Sequence, residues 1–168
     1  MQASQLLKLI MVGAAMLFPI GDIHAGETKT PAAKRPSSGA VTVHRDISYV
    51  FTSRDTTLVR QQSLDLHLPT KVSGKPPLVA FVHGGYWTLS DDQSGIGPVL
   101  AKALVVHGVA VALIRYRLSP PSRFPDNVED VAQAVAYLQR MAGKYGYDAT
   151  KLFLAGHSAG AHLVSLVA

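Results

Sequence analysis

The chain has 168 residues, enough for one folded domain with a buried core, and its apolar content of 48% is that of an ordinary globular protein. Neither a disordered chain nor a polytopic membrane protein is indicated. The net charge is +5, but the basic residues are dispersed along the sequence, which argues against a nucleic-acid-binding face. The absence of cysteine excludes a disulfide framework, a thiol nucleophile and a thiolate metal site.

The N-terminal segment has the features of a secretory signal. Lys8 precedes an apolar stretch over residues 9–20, and Ala25 supplies a small residue at the expected cleavage point. The stretch is too short to span a bilayer comfortably and contains a proline. We therefore predict a signal peptide over residues 1–25 and a secreted or periplasmic protein without a stable membrane anchor. A buried N-terminal helix and an uncleaved signal anchor are the alternatives.

A flexible linker and the first strands are predicted next. Residues 26–40 are rich in Gly, Pro, Ser, Thr, Ala and Lys and show no hydrophobic periodicity, so we predict a linker there and a folded domain over residues 41–168. Strand-like runs cover residues 45–51 and 62–68. Alternation in the second run predicts a half-exposed antiparallel edge strand with His67 on the surface.

From Pro77 onward, short apolar runs alternate with helical spacing. The strands are predicted at residues 77–82, 109–114 and 151–155, and the helices at residues 96–106 and from Pro125 to Gly143. Apolar runs of this length between helices are typical of strands that are buried on both faces. This stretch therefore predicts an α/β fold with a parallel sheet.

Gly156, Ser158 and Gly160 form a G-x-S-x-G pattern between the last strand and a final helix-like run. Such a sharp turn brings the strand and helix backbones too close for a Cβ at the two glycine positions. The serine is expected in a strained conformation with its hydroxyl raised above the sheet edge. We predict that Ser158 is a nucleophile, and its alternative role is to cap the helix.

A second glycine motif follows the strand over residues 77–82. It contains Gly84 and Gly85 directly after His83, in the arrangement of an HGG-type oxyanion loop. Backbone N–H groups of Gly84, Gly85 and Ala159, the residue after the predicted nucleophile, would stabilise the negative oxygen of a tetrahedral intermediate. A simple tight turn after a strand is the alternative for the two glycines.

Four further motifs follow in a fixed order, at residues 64–69, 116–120, 124–126 and 145–148 (LDLHLP, YRLSP, FPD and YGYD). With the two glycine motifs, the sequence from about Ile47 to its last residue resembles the α/β-hydrolase superfamily. It is most similar to the carboxylesterase group, which includes hormone-sensitive-lipase-like esterases, feruloyl-esterase-like proteins and aryl (kynurenine) formamidases.

The resemblance implies an α/β-hydrolase fold, with a mostly parallel sheet and flanking helices, truncated after the nucleophile turn. It implies hydrolysis of a small-molecule carboxylic ester through an acyl-enzyme on Ser158, or of a formamide as the alternative, with no cofactor or metal. By resemblance, His83 supports the oxyanion loop by hydrogen bonding. Tyr86 and Trp87 are expected to wall the substrate cleft, with a place in the core as the alternative.

In the resembled family, an acid and then a histidine follow the serine along the chain. After Ser158 this sequence contains no acid, and His162 is its only histidine. His162 lies one helical turn along, where we do not expect it to take the proton of Ser158. We expect the chain to be inactive as it stands and the strand over residues 151–155 to lack a neighbour. A non-catalytic remnant or an interaction module is the alternative function.

Overall fold

The computed structural model describes residues 8–11, 41–50, 56–90 and 95–168. The predicted linker and most of the predicted signal peptide lie outside the described residues, and both stay predictions. The described strands are β1 (Lys8–Met11), β2 (Val41–Ser48), β3 (Ser63–Pro69), β4 (Leu78–Val82), β5 (Ala110–Ile114) and β6 (Leu152–Gly156). The described helices are α1 (Thr56–Gln61), α2 (Ile96–Val105), α3 (Asp126–Tyr145) and α4 (Ala159–Val167), and a 3₁₀ turn covers Ala149–Lys151.

The six strands form one sheet in the order β1-β6-β4-β5-β3-β2. The pairings β1–β6, β6–β4 and β4–β5 are parallel, whereas β5–β3 and β3–β2 are antiparallel. The parallel strands β4, β5 and β6 therefore end at the same edge of the sheet. Ligands of open α/β sheets bind outside this carboxyl edge, and both glycine motifs follow strands that end there.

Helices cover both faces of the sheet because alternate side chains of the central strands point to opposite faces. On one face, α3 and α4 pack on residues such as Leu78, Ala80 and Leu154. On the other face, α2 packs on Phe81 and Val111. Full burial of a side chain of this size contributes about 1.5–3 kcal/mol, so the buried strands hold the carboxyl edge in a fixed geometry.

The strand β3 differs from its prediction. It is antiparallel as expected, but it lies between β5 and β2 and is not an edge strand. Leu64 and Leu66 are fully buried, and His67 is half-buried rather than on the surface, beside a cavity under α2. The polar residues of β3 misled the prediction, because Asp65 is buried against arginine side chains.

The strand β6 also differs from its prediction, because it does not lack a neighbour. Residues Lys8–Met11 pair with it in parallel, with Leu9 opposite Leu154. These four residues lie inside the segment predicted as a signal peptide. The apolar composition of residues 9–20 suits either a signal sequence or a strand, and periodicity does not distinguish the two.

The end of one helix and the whole of another differ from the prediction. The helix α3 continues past Gly143 to Tyr145, and Gly146, with φ 82°, caps it in the left-handed conformation. The short helix α1 lies between the two strand-like runs of the N-terminal part, where no helix was predicted. It has no fully buried residue, so it left no hydrophobic periodicity in the sequence.

Candidate active site

The turn between β6 and α4 holds Ser158 in an unusual backbone conformation. Ser158 has φ 51° and ψ −119°, a combination that costs a residue with a Cβ on the order of 1–3 kcal/mol. Its side chain makes no capping hydrogen bond to α4, so the alternative interpretation as a helix cap is wrong. Because Ser158 is exposed, its hydroxyl is accessible beyond the end of β6. Its role as nucleophile stays a prediction.

The glycines on either side of this turn have no room for a side chain. A Cβ on Gly156 would lie 2.6 Å from the carbonyl carbon and oxygen of Gly160. A Cβ on Gly160 would overlap the carbonyl oxygens of Val82 and His83 at the end of β4. The steric reason predicted for the two glycines is therefore confirmed. Their close packing brings β4, β6 and α4 together beneath Ser158.

The loop after β4, residues 83–87, packs directly against the turn. A Cβ on Gly84 would lie 3.1 Å from the Cβ of Ser158 and 2.8 Å from both Nδ1 and the carbonyl oxygen of His157. The backbone N–H of His157 donates a 3.2 Å hydrogen bond to the carbonyl of Val82. The two glycine motifs, far apart in the sequence, therefore meet at one place, as a shared site requires.

Two hydrogen bonds fix the peptide planes of this loop. His83 Nδ1 donates to the carbonyl oxygen of Gly84 at 2.7 Å, and the Tyr116 hydroxyl donates to the carbonyl oxygen of His83 at 3.1 Å. In a trans peptide the C=O and the next N–H point in opposite directions. Anchoring these carbonyls on the core side thus turns the N–H groups of Gly84 and Gly85 away from it. The N–H of Ala159 lies in the first turn of α4, where N–H groups have no intrahelical hydrogen-bond acceptor.

The imidazole of His83 is fixed by burial and by stacking on a neighbouring ring. It is 1% exposed and stacks on the ring of Tyr116, with 4.5 Å between centroids and 15° between planes. Since a carbonyl oxygen only accepts, Nδ1 must have the proton in its bond to Gly84. This geometry suits the supporting role that the resemblance implies for His83, which stays a prediction.

Tyr86 and Trp87 follow in a left-handed turn. Their φ angles are 53° and 61°, after 118° at Gly85, and positive φ is rare for bulky residues. The N–H groups of Thr88 and Leu89 both donate to the carbonyl of Gly85 at 2.9 Å and close the turn. Tyr86 is 77% exposed, so its alternative place in the core is wrong, whereas Trp87 is partly buried and packs on the core.

A cavity of about 300 Å³ opens beside this turn. We call it the aromatic cavity, and Tyr86, Trp87, Phe124, Asn127 and His162 are among its lining residues. Phe124 is 73% exposed, nearly as much as Tyr86. The two side chains give the mouth of the cavity an apolar surface next to the loop. Their role in walling a substrate cleft stays a prediction.

His162 faces this cavity rather than the serine hydroxyl. Its ring packs edge-on against Trp87, with 5.5 Å between the centroids. Its backbone N–H donates to the carbonyl of Ser158 at 3.2 Å, which sets it one turn along α4. Among the hydrogen bonds between described residues, none joins the His162 ring to Ser158. This arrangement agrees with the expectation that His162 is not the base.

His157 was overlooked in the sequence, where it fills the variable position of the G-x-S-x-G pattern. Its Nδ1 is buried and has no hydrogen-bond partner in the described part of the chain, although it touches Gly84. Buried polar atoms usually have a partner, so this nitrogen has bonding capacity directly beside the loop. Motif matching ignores this position, and no other signal in the sequence identified it.

An ion pair ties the segment after β5 to helix α3. Asp130 is fully buried and accepts hydrogen bonds from Nε and Nη2 of Arg117, both at 2.8 Å, and from Nε2 of Gln62 at 2.7 Å. The hydrogen bond to the Asp130 carboxylate raises the pKa of Arg117. Breaking one partner of such a pair leaves a buried charge uncompensated. The network therefore holds Tyr116, next to Arg117, beneath the loop.

The described residues contain no group of three or more His, Asp or Glu side chains that is placed to hold a metal ion. None of the described helices combines the length and the apolar character that a membrane span requires.

Comparison with known proteins identifies the family. Residues 64–168 match the BD-FAE family. A probable isoprenylcysteine alpha-carbonyl methylesterase from Oryza sativa subsp. japonica is 40% identical over 102 residues, which cover 61% of this chain and 24% of that protein. A kynurenine formamidase from Danio rerio is 39% identical over 108 residues, which cover 63% of this chain and 34% of that protein.

A solved structure supports the fold. The inhibited esterase B from Lactobacillus rhamnosis superimposes with a TM-score of 0.67 at 30% sequence identity. The superposition covers 82% of this chain and 42% of the esterase chain. The chain thus spans about a quarter to a third of the two curated relatives and less than half of this esterase. The residues that match the family contain the strands β4, β5 and β6, the loop after β4 and the turn at Ser158. The chain belongs to the BD-FAE family and has the α/β-hydrolase fold.

Proposed function

We propose that the protein hydrolyses carboxylic esters through an acyl-enzyme on Ser158. The contact of the loop after β4 with the serine turn supports this function most directly, because Gly84 packs against Ser158 and Ser158 has the φ of 51° that a nucleophile turn needs. The names of the rice methylesterase and the bacterial esterase B agree with it. The chain spans less than half the length of these relatives, and the activity is proposed for the whole protein.

In the proposed reaction, the Ser158 oxygen attacks the ester carbonyl carbon and loses its proton to a general base. The carbonyl oxygen becomes negative and accepts hydrogen bonds from the N–H groups of Gly84, Gly85 and Ala159. Collapse of this intermediate breaks the bond to the alkoxy oxygen, which leaves as the alcohol after taking the proton. Water then attacks the acyl-enzyme and releases the acid. Loss of one oxyanion donor typically costs about 10²–10³ in kcat.

Hydrolysis of a formamide is the second candidate function. The zebrafish kynurenine formamidase favours it, since it matches this chain at 39% identity. The same serine chemistry would then release formate and an amine instead of an acid and an alcohol. Aryl acetate and aryl formamide substrates distinguish the two, and we expect turnover of the acetate to be the faster.

Labelling with a fluorophosphonate tests the nucleophile. The probe phosphonylates an activated serine, so we expect one adduct on the protein as its gene expresses it, located at Ser158 by mass spectrometry. Ser158→Ala should abolish the adduct, whereas Ser165→Ala should leave it unchanged, because Ser165 is an exposed serine of the same helix. An adduct that persists in Ser158→Ala, or no adduct on the protein at all, would contradict the proposed function.

A further inference from the structure

Asn127 is a buried polar residue of the aromatic cavity. It is 5% exposed and lines the cavity together with Leu163, which is also buried. Among the hydrogen bonds of the described residues, none involves the side-chain amide of Asn127. Because buried amides normally have hydrogen-bond partners, the cavity is the place where a partner for this amide can bind.

The first turn of α3 holds Asn127 in a fixed position. Arg117 Nη2 donates a 3.1 Å hydrogen bond to the carbonyl oxygen of Asp126, and Arg117 Nη1 lies 3.3 Å from Asp126 Oδ1. The same guanidinium also binds the buried carboxylate of Asp130. The helix is thus tied down on both sides of Asn127, and a side chain on a fixed backbone loses less freedom when it binds a ligand.

Aromatic side chains surround the rest of the cavity. Trp87 packs on the core, and its ring meets the ring of His162 edge-on. Tyr86 and Phe124 are the exposed residues at the mouth. Aromatic side chains favour flat partners, which they contact by offset stacking or edge-on. The volume of about 300 Å³ is at the small end of the range for ligand pockets, so it suits a single ring.

The cavity adjoins the predicted reaction centre on two sides. Tyr86 directly follows Gly85, a predicted oxyanion donor. His162 lies one helical turn after Ser158, and its backbone N–H donates to the carbonyl oxygen of Ser158. A ring in the cavity can therefore belong to the same molecule whose ester group lies at Ser158.

The chemistry of Asn127 selects the group that the ring carries. A side-chain amide presents a carbonyl oxygen and an N–H side by side in one plane. A group with a donor beside an acceptor pairs with both, as adenine does with asparagine. A group with an acceptor alone leaves part of the buried amide unpaired, which costs free energy.

We infer that the aromatic cavity binds a ring of the substrate that carries a carboxamide, and that Asn127 selects such substrates through two hydrogen bonds. Asn127 is then a specificity-determining residue. The inference rests on the proposed function only for the assignment of this ring to an ester.

Calorimetric titration of the Ser158→Ala protein measures this selection without turnover. It compares para-carbamoylphenyl acetate with para-isopropylphenyl acetate, which has nearly the same shape but no hydrogen-bonding group on the ring. We expect the carboxamide to bind about tenfold more tightly, the order of two neutral hydrogen bonds, because the apolar ester leaves the buried amide unpaired.

Two substitutions of Asn127 should each remove this preference. Asn127→Leu lacks both hydrogen-bonding groups, and Asn127→Asp keeps the shape of the side chain but has no N–H donor. Gln133→Leu is the matched control and should preserve the preference, because Gln133 is an exposed amide of the same helix that does not line the cavity.

Equal affinity for the two esters, a preference that survives in both Asn127 variants, or an equal loss in Gln133→Leu would overturn the inference. Tighter binding of para-hydroxyphenyl acetate than of the carboxamide would also overturn it, because the cavity would then select a hydroxyl. Since the titration uses a variant without the serine hydroxyl, its result is independent of the fluorophosphonate labelling. Absence of labelling with a retained carboxamide preference would therefore refute the proposed function and leave the amide site standing.

Discussion

Single residues without a Cβ determine how closely the strands and helices approach beneath Ser158. Gly160 lies against the carbonyl oxygens of Val82 and His83, so the start of α4 touches the end of β4 with no side chain between them. This contact sets the height of Ser158 relative to Gly84. The backbone strain at Ser158 persists because the packing around it leaves no relaxed alternative.

Gly160→Ala and Gly143→Ala should therefore have opposite effects on stability. The added methyl at position 160 would overlap backbone oxygens, and we expect a loss of at least about 3 kcal/mol in the free energy of unfolding. Gly143 is inside α3, where an added Cβ would have no atom within 4 Å, so alanine there should stabilise by about 0.5–1 kcal/mol. Urea unfolding measures both, and a neutral Gly160→Ala would contradict the packing argument.

At the scale of elements, α3 connects the site to the rest of the core. Asp130 on its buried face holds Arg117, while the Tyr147 hydroxyl, just beyond its end, donates to the carbonyl of Leu138. Burial raises the pKa of Tyr147. Burial, together with a hydrogen bond to Tyr145, also raises the pKa of Tyr137 from 10.0 to about 12. The two tyrosines that anchor the helix, Tyr137 and Tyr147, are therefore protonated in the folded protein.

Alkaline pH should therefore destabilise the fold through α3. The unfolded chain releases the Tyr137 proton near pH 10 and the folded chain near pH 12, so between these values the folded state binds more protons and stability falls as pH rises. Tyr137→Phe should reduce this slope by about 1.4 kcal/mol per pH unit. Urea unfolding of both proteins at pH 8, 10 and 11 measures this slope. At pH 8, where Tyr137 is protonated in both states, the difference in the free energy of unfolding comes from the lost hydrogen bond alone. An unchanged slope in Tyr137→Phe would show that another group titrates.

For the whole molecule, the sequence predicted what depends on local patterns. Continuous apolar runs located β4, β5 and β6, and steric rules alone explained Gly156 and Gly160. Long-range pairing was not predictable in this way. The alternation of apolar and polar residues assigned β3 to an edge, whereas Arg45 of β2 and Arg115, directly after β5, neutralise the Asp65 carboxylate inside the sheet.

The pairing of β6 with β1 also joins residues that are distant in the sequence. Because of this pairing, the stability of the folded chain should depend on its N-terminal residues. Removal of residues 1–25, as in the predicted signal cleavage, would delete Lys8–Met11 and expose the backbone of β6 within these 168 residues. Unpaired edges favour association, so we expect stronger light scattering and a melting temperature lower by about 2–4 °C per kcal/mol lost. Removal of residues 1–7 retains β1 and should change neither. Identical melting and scattering for the two shortened chains would mean that Lys8–Met11 adds nothing to the sheet.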